Sequence, residues 1–182
     1  MGKDKRYFRE ITYSEFINNF QQKYEIAVYC KNNKLQYVYM NKRQLIGYTC
    51  GVYDLFHIGH LNLLKNAKSL CDKLIVGVST DELASYKNKQ CVIPYRDRAE
   101  IVSSIKYVDC VVPQTTRDKI EAYKKLKFDI LFVGDDWFEN DEWKTWENEL
   151  QKYRVSVVYF PYTPNVSSTK IIKHIENNKK NE

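Results

Sequence analysis

The chain has little of what holds small proteins together from outside a core. Its five cysteines, Cys30, Cys50, Cys71, Cys91 and Cys110, are odd in number and contain no CxxC pair. A zinc knuckle and a disulfide scaffold are therefore excluded, and reduced, buried thiols are expected. With only 6 Gly and 4 Pro in 182 residues, collagenous and low-complexity classes are excluded too. No stretch approaches the roughly 20 apolar residues of a membrane-spanning helix, and the polar opening MGKDKRYFRE lacks the apolar region of a signal peptide. A soluble, cytoplasmic protein is expected. What is present is an ordinary globular composition, 43% hydrophobic and 29% charged, with an excess of tyrosine at 15. The net charge of +6 favours anionic partners. Because the lysines spread along the chain without forming a basic stripe, nucleic acid is not expected among them.

From Leu45 onward, short apolar runs alternate with helix-period segments, the pattern of strand-helix units around a parallel sheet. Five strands are predicted: Leu45–Cys50, Leu74–Ser79, Asp109–Val112, Ile130–Val133 and Val155–Phe160. Apolar stripes place helices around Leu61–Leu70, Ala99–Ile105, Ile120–Leu126 and Trp143–Leu150, with the two tryptophans read as helix packing. The fold class is α/β, a Rossmann-like open five-stranded parallel sheet with helices on both faces. Residues 1–44 read as an added element. Thr12 and Glu15 match a capping box for a helix through about Tyr24, and EIAVYC and LQYVYM around KNNK read as a hairpin. Residues 45–176 form the main domain, and 177–182 a frayed polar tail.

Ligands of open parallel sheets bind beyond the carboxyl ends of the strands. The loop after the first main-domain strand, Gly51-Val52-Tyr53-Asp54-Leu55-Phe56-His57-Ile58-Gly59-His60, precedes an amphipathic helix. Gly51 permits a tight exit from the strand, Gly59 permits backbone close to a ligand, and the helix amides favour an anion. This loop carries two of the three histidines, three residues apart. Three readings stay open from spacing alone: a pair of capping side chains, a shared metal ion completed by Asp54, or two donors aimed at one phosphate.

The same residues resemble the HxGH signature of the nucleotidyltransferase superfamily, and Gly51 to His60 is similar to its cytidylyltransferase branch. Further segments resemble the glycerol-3-phosphate cytidylyltransferases: Ser79-Thr80-Asp81-Glu82, Lys87-Asn88-Lys89, Arg98 within YRDRAEIV, Tyr107-Val108-Asp109 and Gly134-Asp135-Asp136-Trp137. Thr163 with Ser167-Ser168-Thr169-Lys170 falls where that family has its second nucleotide-binding motif.

The resemblance implies transfer of CMP from CTP to a phosphorylated alcohol, with magnesium as the divalent ion and a homodimer as the assembly. By it, His57, His60 and Lys89 are catalytic. Gly51, Val52, Tyr53, Asp54, Gly59, Lys89, Asp136, Thr163, Ser167, Ser168 and Thr169 hold the nucleotide. Lys87 and Lys119 contact the acceptor, and Arg98 binds phosphate or braces the site. No protein metal-ligand set is implied. Glycerol 3-phosphate is the expected acceptor. Ribitol phosphate, an adenylyltransferase and a non-catalytic nucleotide-binding module are the alternatives. Two residues depart from the pattern: Tyr162 and Lys106 stand where the family has arginine. Tyrosine supplies neither the charge nor the forked geometry of guanidinium.

Overall fold

The computed structural model describes residues 24–31, 34–41, 43–85, 90–134 and 141–179, with side chains for 43–85, 90–134 and 143–178. The helix expected at 12–24, the hairpin turn, Lys87, Lys89 and Asp136 lie outside the described residues.

The chain divides into two compact units, Met1–Gln44 and Leu45–Glu182. In the first, β1 (Tyr24–Lys31) and β2 (Lys34–Asn41) pair antiparallel, from Tyr24 opposite Asn41 to Lys31 opposite Lys34.

The second unit runs β3 (Ile46–Gly51), α1 (Ile58–Lys68), β4 (Lys73–Ser79), α2 (Asp81–Ser85), α3 (Tyr95–Ser103), β5 (Cys110–Gln114), α4 (Lys119–Leu126), β6 (Ile130–Gly134), α5 (Asp141–Lys152), β7 (Ser156–Phe160) and α6 (Ser168–Lys179). The five strands lie in the order β5-β4-β3-β6-β7, every pair parallel. All five expected strands are present, with ends shifted by one or two residues. The short helix α2 has no apolar period to announce it. At the end, α6 continues through Asn177 and Asn178 to Lys179, past the boundary expected for a frayed tail.

Successive strand side chains point to opposite faces, so each buried strand feeds two cores. In β4, Leu74, Val76 and Val78 pack with Leu64 and Ala67 of α1 and Val102 of α3. The intervening Ile75 joins Tyr48, Leu131 and Val133 against Trp143 and Leu150 of α5, with residues of α4 alongside. Helices therefore cover both faces.

The strand order reverses between β3 and β6, where the connections leave to opposite sides and open a crevice at the carboxyl ends. The amino ends are closed instead: the carboxylates of Asp72, Asp129 and Asp109 accept the amides of Leu45, Ile46 and Leu74. Any open site lies at the opposite end.

Candidate active site

The connection from β3 to α1 is a strained loop. Tyr53 and Leu55 hold φ of 56° and 47°, a left-handed conformation unfavourable for bulky residues. The phenol of Tyr53 is buried, and burial raises its pKa. Its ring packs against His60 at 5.2 Å and lies 3.2 Å from where a side chain at Gly51 would begin. The Tyr53 side chain thus belongs to the core, and its ring takes the space that a side chain at Gly51 would need.

Asp54 is buried and fully occupied. Its carboxylate accepts from the amides of Leu55 at 3.0 Å, Ile93 at 3.0 Å and Val92 at 2.9 Å, joining the β3 loop to the segment before α3. The carboxylate thereby anchors the loop. Among the described residues, no three His, Cys, Asp or Glu side chains converge.

The histidine pair caps α1. His57 Nδ1 accepts from the Gly59 amide at 3.1 Å, and His60 Nδ1 accepts from the His57 amide at 3.4 Å. Together they form a capping box made of imidazoles instead of hydroxyl and carboxylate. The rings stack with centroids 3.9 Å apart and 18° between planes. Gly59 makes room for this arrangement, since a side chain there would begin 2.9 Å from the His57 ring. Two imidazoliums so close would repel. Burial, then the neighbouring His57, pushes His60 down to about 4, against a weaker opposing pull from Asp54, and burial lowers His57. An Nδ1 that accepts an amide carries no proton, so the capping arrangement itself requires both rings to be neutral. Because each Nδ1 accepts, the remaining proton of each ring sits on Nε2. The result is two neutral N–H donors beside the positive end of α1, whose first turn carries no acid.

The second expected nucleotide motif is tied to this loop. Ser168 Oγ donates to the Asp54 carbonyl at 2.7 Å, and Thr163 Oγ1 accepts from Asn62 of α1 at 3.3 Å. Ser167 caps α6 by accepting the Lys170 amide. Thr169 is exposed. Three of the four hydroxyls thus have internal partners, and those of Thr163 and Ser168 tie the start of α6 to α1 and the loop before it.

Arg98 takes the bracing role of the two expected for it. It is 0% exposed. Nε donates to the Ile93 carbonyl at 2.8 Å, Nη1 to the carbonyls of Val52 and Ser79, and Nη2 to Asp81 at 2.6 Å. The guanidinium has almost no donor left for a ligand. Val52, expected at the nucleotide, supplies one of these carbonyls.

A cavity of about 130 Å3 opens beyond β3, β4 and β5. Lys119, Trp143, Trp146, Gln114 and Arg117 line it. Asp118 caps α4 by accepting the amides of Ile120 and Glu121, which sets Lys119 in the first turn beside the cavity. The tryptophans, expected only to pack, also form its wall. Ser79 donates to Gln114 at 2.8 Å across the strand ends, a buried polar pair that no sequence period marks.

Residues 48–174 match the cytidylyltransferase-like family model. The chain belongs to this family. A glycerol-3-phosphate cytidylyltransferase of Staphylococcus aureus is 36% identical over 124 residues, 68% of this chain and 89% of that protein. An FAD synthase of Pyrococcus abyssi is 36% identical over 132 residues, 69% of this chain and 88% of that protein. Among solved structures, a lipopolysaccharide core biosynthesis protein of Thermoplasma volcanium superposes with a TM-score of 0.57 at 26% identity. That match covers 66% of this chain and 98% of the other. As a member of the cytidylyltransferase-like family, the chain is an enzyme of the nucleotidyltransferase class. No helix among the described residues is long and apolar enough to cross a membrane.

Proposed function

We propose that this enzyme transfers CMP from CTP to the phosphate of a small polyol phosphate, glycerol 3-phosphate first among them, releasing pyrophosphate. An acceptor phosphate oxygen attacks the α-phosphorus, a P–O bond forms, and the bond from that phosphorus to the bridging oxygen of the leaving pyrophosphate breaks. A phosphate monoester is already a nucleophile at neutral pH. The reaction therefore needs positioning and charge stabilisation more than a general base.

The observation that carries the reading is the neutral, stacked His57–His60 pair with both Nδ1 atoms held by α1 amides. Each ring is fixed by the helix it caps, so its Nε2–H is preorganised to meet charge that develops on α-phosphate oxygens. The tethered N-termini of α1 and α6 suit the anionic triphosphate. Lys87, Lys89 and Asp136 keep their expected roles within this proposal.

The relatives named as FAD synthases support a second reading, adenylyl transfer from ATP to a flavin phosphate. Pyrophosphate release with magnesium separates the two, using CTP and ATP against glycerol 3-phosphate, ribitol 5-phosphate, flavin mononucleotide and no acceptor. Turnover confined to CTP with a polyol phosphate is the expected result. Turnover confined to ATP with the flavin would replace it.

A further inference from the structure

Lys119 is 4% exposed, yet no carboxylate lies within ion-pair distance of it among the described residues. Its ammonium donates to the Arg117 carbonyl at 3.0 Å and stands 5.4 Å and 5.3 Å from the ring centroids of Trp143 and Trp146. The two indoles meet edge to face at 5.3 Å and 87°, forming an aromatic corner. Such a corner attracts cations, and ligands with ammonium heads are commonly recognised this way. Here the chain's own ammonium already occupies it. Among the described residues, none lining the cavity is acidic.

The cavity reaches the loop that carries the histidine pair, since Gly51 and Val52 help to line it together with Ser79 and Gln114 at the ends of β4 and β5. Resting on the proposed reaction, this arrangement leaves the cavity for the end of the acceptor that does not react.

We propose that Lys119 sets the charge class of the acceptor: by filling the Trp143–Trp146 corner with its ammonium, it admits a tail of hydroxyls or a carboxylate and rejects a cationic one. An incoming oxygen would add a second acceptor beside the Arg117 carbonyl, whereas a second ammonium would meet a like charge in a partly dry site. Discrimination thus comes from a repulsive element as well as an attractive one. Replacing Lys119 by methionine keeps the length of the side chain, removes the charge and frees the indole faces for a cation.

The test titrates the full-length protein with glycerol 3-phosphate, 3-phosphoglycerate and phosphoethanolamine, reading tryptophan fluorescence, and repeats the series with K119M. Wild-type protein is expected to bind both oxygen-tailed ligands at least about tenfold more tightly than phosphoethanolamine, the scale of a like-charge contact. K119M is expected to erase or invert that ratio. Equal wild-type affinities, or an unchanged ratio in K119M, would overturn the inference. Failure of all three to bind while CTP still binds would overturn it too and leave cytidylyl transfer standing with another acceptor. Loss of CTP binding as well would remove both. The wild-type ratio needs no substitution, so it decides the matter even if K119M does not fold.

Discussion

Among the described residues, two cations are buried beyond the carboxyl ends of the sheet, and their surroundings are opposite in kind. Arg98 is matched by its own protein: three carbonyls and the Asp81 carboxylate surround it, drawn from the β3 loop, the end of β4, the start of α2 and the segment before α3. Lys119 has one carbonyl and two aromatic faces. A cation whose donors the chain itself satisfies holds loops in place, while one left short of a counter-charge is available to a ligand. Resemblance alone gave both residues a place at the substrate; their surroundings separate them.

The largest effect should come from emptying the satisfied site. Arg98→Met leaves the Val52, Ser79 and Ile93 carbonyls and Asp81 without their partner, and should cost about 3–5 kcal/mol of unfolding free energy in urea. A variant as stable as wild type with weaker phosphate binding would reverse the role assigned to Arg98.

Next in size is the histidine pair, whose burial also couples charge to stability. His60 is held near 4 against an ordinary 6.5, so below pH 6.5 the unfolded chain takes up a proton that the folded chain refuses. This contribution is fully present above pH 6.5 and is lost as pH falls towards 4, up to about 3 kcal/mol. Thermal melts between pH 7 and 4.5 should show a steeper loss for wild type than for His60→Asn. Parallel curves would mean that His60 is not held neutral by the fold.

The smallest effect belongs to the unsatisfied site. Lys119→Met removes a charge that no carboxylate among the described residues neutralises, and its melting temperature should stay unchanged or rise. A loss comparable to that of Arg98→Met would make Lys119 a brace as well and dissolve the contrast.

How much of this was legible in the sequence follows from the range of the interactions. The strands were readable because a strand covered on both faces is a continuous apolar run, as in LIVGVS of β4, and the histidine pair because both members and their helix lie within one short segment. Arg98 could not be sorted from phosphate-binding arginines, since its acceptors come from three separated segments, at Val52, at Ser79 and Asp81, and at Ile93. The reason for Gly51 was hidden in the same way: the ring that needs its space belongs to Tyr53, which turns back onto the strand through a left-handed loop that no sequence period signals. Trp143 and Trp146 fit a packing stripe so well that their second use, as the wall around Lys119, emerged only when α4 was set beside α5.

The central claim is that the two imidazoles act on the reacting phosphate through Nε2 while Nδ1 holds the helix. Asparagine at either position keeps an acceptor near the place of Nδ1 and lacks Nε2. The measurement is therefore pyrophosphate release from CTP and glycerol 3-phosphate by wild type and His60→Asn, with melting temperatures recorded beside it at pH 7. The account predicts a fall of about 10²–10³ in kcat with the fold retained, the size seen on loss of one preorganised donor. A His60→Asn enzyme that turns over at the wild-type rate would contradict it and reduce the pair to a helix cap.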